Sequence, residues 1–463
     1  MLDFLDSVFS WYNNYIGGYL IVAILVQTGI FFTLRFKFLQ VTKLGHTINV
    51  IRGKYDKKGD KGDVNHFKAL TTALSATVGT GNIVGVSLAI YYGGPGALFW
   101  MWVTAFFGMM LKLVENTLAF KYRVINSDGS VSGGPMYYIE SLKSKIGPFA
   151  KIMAVIFAFA AILCSLGTGN MAQSNSMADA LLTTYDIPTM WSAILFALLV
   201  LLIVVGGLKR IADVTSRLVP IMAIFYFVSA VIVLVVFREN IIPSFKLIVT
   251  DAFTGTAAKG GFLGSVFIIT LMKGVQRGLF SNEAGQGSSP MAHAAAKTEF
   301  PLREGLVASI EPLVDTLIIC TLTGLVIISS GAWSSGIEGV GMTIKGFTAG
   351  FSVIGIGNWA QHIITVGLLL FAFSTIISWS YYGTRAVQYL FGEKYIKPYY
   401  YFYGAFVLLG AIGSIDLVWK FVDMVITFMT IPNLIALLLL TPVMKKEIDK
   451  YFDYMKTQSR VKK

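Results

Sequence analysis

The stretch Val78-Gly79-Thr80-Gly81-Asn82 gathers residue types that can bind charge through the backbone. It lies inside an apolar segment, about Phe67 to Tyr92, that is long enough to cross a membrane. Each glycine lowers helix stability by ~1 kcal/mol relative to alanine, so the segment is expected to unwind at bilayer depth. Unwound backbone there must line a protein cavity or a water path, because lipid satisfies no N–H or C=O group. A half-helix that starts after such a break presents free N–H groups and about half a positive charge, which attract a carboxylate. One that ends before it presents carbonyls suited to an ammonium group or a sodium ion. The run from Gly278 to Gly287 interrupts a second apolar segment in the same way. Two broken helices crossing at the midplane match a zwitterionic amino acid. We assign the N–H groups of Gly79, Thr80 and Gly81 to its carboxylate, with the Thr80 hydroxyl beside them. Carbonyls around Phe280 and Ser281 are assigned to its ammonium group.

Sodium prefers hard oxygen ligands, and Ser374-Thr375, with Ser378 on the same helical face, places hydroxyls inside another apolar run. Hydroxyls bonded back to carbonyls one turn earlier are the other reading of these residues. Asn82 and Glu283 are candidates for coupling ion to substrate, although Arg277 and Glu283 are read first as a structural pair. Asn170 and Gln173, polar at bilayer depth, either join helices or line the substrate cavity. Gly85 and Gly108 are taken as close-packing positions, and Phe99, Trp100 and Trp102 as packing or interfacial belt. Glu115, Glu311, Asp315 and Asp423 fall near expected helix ends and receive no role. His46, His66, His293 and His362 lack metal spacing, and Cys164 and Cys320 are assigned to packing. Gly79-x-Gly81 followed by Gly85 is no nucleotide fingerprint, since no strand precedes it and no acidic residue follows about 20 positions on. With neither His-Glu-x-x-His nor Gly-x-Ser-x-Gly, the chain does not read as an enzyme.

Such residues need a membrane scaffold to hold them. A hydrophobic content of 55%, a charged content of 13% and a mean hydropathy of +0.69 exclude a soluble globular protein, where about a quarter of residues are charged. The 463 residues supply about eleven apolar stretches of spanning length, an all-α membrane protein. The net charge of +12 is not a nucleic-acid patch, because its basic residues fall in alternate loops. They all lie on one side if the spans alternate from an outside N-terminus to a cytoplasmic C-terminus in the cell membrane. Phe38 to Ile51 has the mixed character of a helix lying on the inner leaflet, or of one packed on protein. Arg238 to Gly260 is expected to be an external loop, and the fourth span to continue past the polar run Gly167 to Asn175 toward Thr184. Met1 to Tyr15 shows no removable signal peptide. With the first span set aside, the two broken segments head each consecutive five, which makes an inverted repeat. Residues 1–64 then form an extra helix and loop, 65–258 the first repeat, 259–442 the second and 443–463 a basic tail.

The run Gly93-Gly94-Pro95-Gly96-Ala97-Leu98-Phe99-Trp100-Met101-Trp102-Val103, continuing to Gly108, resembles the signature of the alanine or glycine:cation symporter family, the sodium:alanine symporters. Gly79-Thr80-Gly81-Asn82 and Ser281-Asn282-Glu283-Ala284-Gly285 extend the resemblance over most of the chain. It implies a protein of the amino acid-polyamine-organocation superfamily with the five-plus-five leucine-transporter fold, taking up alanine or glycine with sodium and using no organic cofactor. It further implies that the substrate carboxylate meets Gly79 to Gly81. A sodium ion would sit between the carbonyls of Ser75 and Val78 and the hydroxyls of Ser374 and Thr375. Phe280 would close the pocket, with Ser281 beside substrate or ion. Proton coupling through Glu283 is the runner-up, and an ion channel a more distant one.

Overall fold

The computed structural model describes residues 2–126, 130–254, 263–413 and 416–461. Regular structure among these is helical apart from one antiparallel hairpin, Val124–Ile125 with Val131–Ser132. Six of the described helices are long and apolar enough to cross a membrane. A seventh follows if Met424–Leu439 and Thr441–Gln458, bent by 61°, form one span. Other apolar stretches give helices of 16 and 17 residues, Thr189–Val204 and Ile396–Ile412, at the short end for an upright crossing. The segment with Gly79 divides into His66–Thr77 and Val84–Gly93. Leu198, Leu202, Ile221, Ile224 and Val235 stand exposed on the outer helices, as side chains facing lipid do.

One expected loop is a helix instead, and the expected helical segment Phe38 to Ile51 packs on protein. Arg238–Thr254 is a helix that buries Ser244, Ile248, Asp251 and Ala252, and Asp251 accepts the Gly96 N–H at 2.7 Å. Trp100 Nε1 donates to the Ala252 carbonyl at 3.0 Å, and Phe99 and Trp100 pack edge-on to Phe253. These aromatics are packing residues that hold the Gly93–Gly96 turn. Phe38 to Ile51 forms Leu39–Thr42 and Leu44–Ile51, with Leu39, Thr47 and Val50 buried. His46 bonds Tyr451 of the last helix at 2.8 Å, so this segment packs on protein. The fourth apolar stretch runs on to Tyr185 as expected, through a π-helical turn at Gly167–Met171. Asn13–Leu20 is π-helical as well, and so is Leu313–Cys320 in the span Pro301–Ser329. Such turns recur at functional sites.

Ala97–Lys121 is the central helix, buried all round from Gly108 to Phe120. Small residues let its neighbours approach it. A Cβ on Gly108 would lie 2.8 Å from Ala284 Cβ, the close packing expected there. One on Gly278 would run into Thr104, and one on Gly305 into Thr117 and the Leu113 carbonyl. Gly305→Leu is therefore expected to lower the thermal unfolding midpoint of the purified protein, by the ~1–3 kcal/mol typical of overpacking or more. An unchanged midpoint would contradict this packing.

Candidate functional site

The helix His66–Thr77 begins with Asn65 accepting the Lys68 N–H and ends at Val78, whose ψ of 89° leaves the helical region. Gly79 is extended, Thr80–Asn82 make a single 3-10 turn and the helix resumes at Val84. The break thus falls on the predicted residues. Its amides are partly engaged by side chains. Gly79 N–H donates to Asn82 Oδ1 at 2.9 Å, and Thr80 N–H to Gln173 Oε1 at a long 3.4 Å. The Gly79 amide, assigned from sequence to a carboxylate, is here part of an Asn82-closed turn. Thr80 Oγ1 is buried with no hydrogen-bond partner.

The second break falls in the later half of its expected run. The helix Leu263–Asn282 runs straight through Gly278 and Phe280, because Gly278 is the contact that seats it against Thr104 and Met101. The chain departs only at Glu283, Gly285 and Gly287, with φ of 54°, 77° and 81°, before the short helix Pro290–His293. Phe280 and Ser281 therefore lie in the last turn of a half-helix, where carbonyls lose their helical partners. The Ala284 N–H, one turn beyond Phe280, goes to Asn282 Oδ1 at 3.1 Å.

The two breaks meet. Asn82 Nδ2 donates to Ser281 Oγ at 3.2 Å and to Asp315 Oδ1 at 2.7 Å, and the Phe280 ring lies 3.4 Å from where a Gly81 Cβ would stand. Ser281 and Thr316 each donate a hydroxyl to Asp315 Oδ2 at 2.7 Å. Cys320 Sγ, expected only to pack, lies 3.2 Å from Asn82 Nδ2 in the same cluster. Among the described residues, the hydrogen bonds to this fully buried carboxylate come from neutral donors. A buried charge so placed is costly unless a cation joins it. Asp315 was given no role from sequence. Its signal was a spacing of seven and four residues from Glu304 through Glu311, acids recurring along one apolar segment.

A second oxygen cluster is neutral. The Ser75 carbonyl accepts from Ser374 Oγ at 3.3 Å and Thr375 Oγ1 at 3.2 Å. Ser75 Oγ donates to the Ser374 carbonyl at 2.7 Å and accepts from Ser378 Oγ at 2.8 Å. The alternative back-bonding occurs as well, since Ser374 and Thr375 both reach the Phe371 carbonyl at 2.9 and 3.1 Å. A Cβ on Gly79 would stand 2.6 Å from Thr375 Oγ1, so this cluster adjoins the first break. Val78 is buried where that helix ends.

Other candidates separate. Gln173 reaches the first break, whereas Asn170 Nδ2 joins helices by donating to the Tyr403 carbonyl at 2.8 Å. Glu283 is not the partner of Arg277: its carboxylate accepts from Ser288 Oγ at 2.5 Å and Trp379 Nε1 at 3.2 Å. The Arg277 guanidinium stands 6.0 Å from the centre of the Phe280 ring. The expectation of a structural pair is corrected here, because the turn at Glu283 carries its side chain away from the preceding helix. Gly85 is corrected too, since a Cβ there would meet nothing within 4 Å. It lines a cavity of about 600 Å³ with Thr80, Gly81, Tyr92, Asp179 and Phe280. A cavity of about 580 Å³, lined by Asp63, Lys209, Lys297, Tyr381 and Arg385, lies at the opposite end of the first broken helix.

A buried ionic chain supports these elements, and sequence reading missed it. His293 bonds Glu304 through Nδ1 at 2.6 Å and Glu311 through Nε2 at 2.9 Å. His66 bonds the other oxygen of Glu304, and Lys112 Nζ stands 3.0 Å from Glu311 Oε2 as an ion pair. Glu115 accepts from Asn433 Nδ2 at 3.0 Å, while the Asp423 side chain lies outside those described. Histidines that are scattered along the chain are thus adjacent in space.

The chain matches the model of the sodium:alanine symporter family over residues 2–463. It is 40% identical to the sodium/alanine symporter AgcS of Methanococcus maripaludis over 99% of this chain and 100% of that one. It is 34% identical to a probable sodium/glutamine symporter, GlnT, of Bacillus subtilis over 97% and 91%. The fold is similar to that of MhsT, crystallised with L-phenylalanine, with a TM-score of 0.58, 16% identity, and coverage of 82% of this chain and 90% of that one.

Proposed function

We propose that this chain, which belongs to the sodium:alanine symporter family and is a cation-coupled amino acid transporter, carries alanine or glycine into the cell with sodium by alternating access. The observation that carries this reading is the meeting of the two breaks, where Asn82, Ser281 and Asp315 close on one another beside Gly81 and Phe280. The amides of Thr80 and Gly81 face the carboxylate, with Gln173 yielding its long bond to Thr80 as substrate enters. The terminal carbonyls at Phe280 and Ser281 face the ammonium group. Sodium is held by the Ser75 and Val78 carbonyls with the Ser374 and Thr375 hydroxyls. A second cation position at Asp315, with Ser281 and Asn82, supplies the one full negative charge. Binding substrate and cation together leaves neither pole of the zwitterion nor the buried carboxylate without a partner, so neither moves alone.

Eleven spans in a five-plus-five inverted repeat after one extra helix remain our reading of the architecture, with the lysine-rich face and C-terminus in the cytoplasm. The cavities at either end of the first broken helix support access from each face in turn. The protein reconstituted in vesicles is expected to take up labelled alanine at least tenfold faster with an inward sodium gradient than with potassium in its place. Equal uptake in both overturns sodium coupling. Saturable counterflow of alanine separates a carrier from a channel.

A further inference from the structure

We propose that a chamber behind Phe280 is a subsite for a carboxamide side chain, and that the Phe280 ring, by closing it off, sets the size of amino acid the carrier accepts. This deepens the function proposed above and rests on its placement of the substrate at the two breaks. The chamber, of about 220 Å³, is separate from the 600 Å³ cavity, and Phe280 and Arg277 line both. On the cavity side the ring faces Gly81, 3.4 Å from where a Cβ would stand. On the other side the chamber is walled by Asn13, Gly17, Gln276, Gln286 and Thr430. Its far wall is therefore the N-terminal helix, outside the five-plus-five repeat and so far without a role in binding.

The chemistry of those walls selects the ligand. Gln276 and the Arg277 guanidinium are donors for an oxygen atom, while the Thr430 hydroxyl already donates to the Ile426 carbonyl at 2.9 Å. Asn13 Oδ1 is a buried acceptor with no hydrogen-bond partner, and it stands 3.4 Å from where a Gly17 Cβ would be, on the chamber wall. It calls for an N–H. A carboxamide brings both an oxygen and an N–H₂, whereas a carboxylate brings no donor for Asn13 and an aliphatic chain leaves Asn13 Oδ1 unpaired. Leaving a buried polar group unpaired costs ~1–3 kcal/mol, and sites built on hydrogen bonds reject ligands that lack them far more strongly than apolar pockets reject extra size.

The test is sodium-dependent counterflow in vesicles with labelled alanine, glutamine, glutamate and leucine. The wild-type protein is expected to exchange alanine and to take glutamine poorly. Phe280→Ala should raise glutamine exchange relative to alanine at least tenfold, with less than a threefold gain for leucine or glutamate. Asn13→Leu in that background should remove the glutamine gain. Equal gains for leucine and glutamine would reduce the chamber to added space and overturn the proposal, as would alanine exchange retained with no gain for glutamine. If Phe280→Ala no longer exchanges alanine, Phe280→Leu carries the same comparison. Absence of alanine exchange in the wild-type protein would instead remove the function on which the proposal rests, a result distinct from its own failure.

Discussion

Asp315→Asn is expected to lower sodium-driven alanine uptake by about a hundredfold or more while leaving the protein folded. Asparagine keeps the volume, and its amide oxygen still accepts the 2.7 Å bond from Asn82 Nδ2. What disappears is the negative charge of Asp315 where the two breaks meet, a carboxylate whose hydrogen bonds, among the described residues, come from neutral groups. In a buried site a unit charge attracts a cation far more strongly than in water. A hundredfold loss corresponds to ~2.7 kcal/mol at 1.36 kcal/mol per factor of ten, modest beside the attraction removed. The initial rate of alanine uptake at saturating sodium measures the effect, and the thermal midpoint in sodium against potassium reads cation binding directly. Sodium should stabilise the wild-type protein more than the variant, which keeps only the site at Ser75, Val78, Ser374 and Thr375. Wild-type sodium stabilisation in Asp315→Asn would withdraw Asp315 from cation binding.

Gly81→Val should abolish alanine binding without unfolding the protein. A Cβ at this position lies 3.4 and 3.5 Å from the edge of the Phe280 ring and 3.5 Å from Ser281 Cα, a contact the neighbours can accept. The two further methyl groups of valine have only the ring, the substrate approach and the cavity to occupy. Gly79 would be a poorer test, since its Cβ would stand 2.6 Å from Thr375 Oγ1 and disturb the hydroxyl cluster as well. Isothermal titration with alanine in sodium should show affinity reduced at least a hundredfold, with a thermal midpoint near that of the wild-type protein. Near-normal affinity in a folded variant would sink the assignment of the substrate to this break.

The first break was legible because its cause is local. Two glycines, a threonine and an asparagine inside an apolar run leave the backbone no stable helix to continue, and lipid forbids it to stay unpaired, so both its position and its need for a lined cavity follow from residue type. The adjacency of Ser374 and Thr375 to that break follows less directly, through the hydroxyl pattern and the family resemblance. The second break lies within its expected run but starts at Glu283 and not at Gly278, for the opposite reason. Gly278 looks like a helix breaker in isolation, yet it is the residue that allows its helix to lie against Thr104 and Met101, and packing outweighs a propensity of ~1 kcal/mol. Gly85 and Gly108 carry the same lesson, since identical residue types in apolar segments turned out to be one cavity wall and one close contact.

The sequence by itself determined that this is a polytopic helical membrane protein with two interrupted segments, and it pointed by its motifs to a transporter family. Each of those conclusions rests on quantities summed or read along the chain: apolar length, charge placement, residues that cannot propagate a helix. Only the tertiary structure decided which polar groups share a site. Asp315 meets Asn82 across 233 positions, and His66 shares Glu304 with His293 across 238. The spacing of Glu304, Glu311 and Asp315 along one apolar segment marks these acids as unusual, but it does not say which groups they meet. A buried charge is tolerated only where donors converge on it, and convergence is a property of how helices cross, not of any one of them.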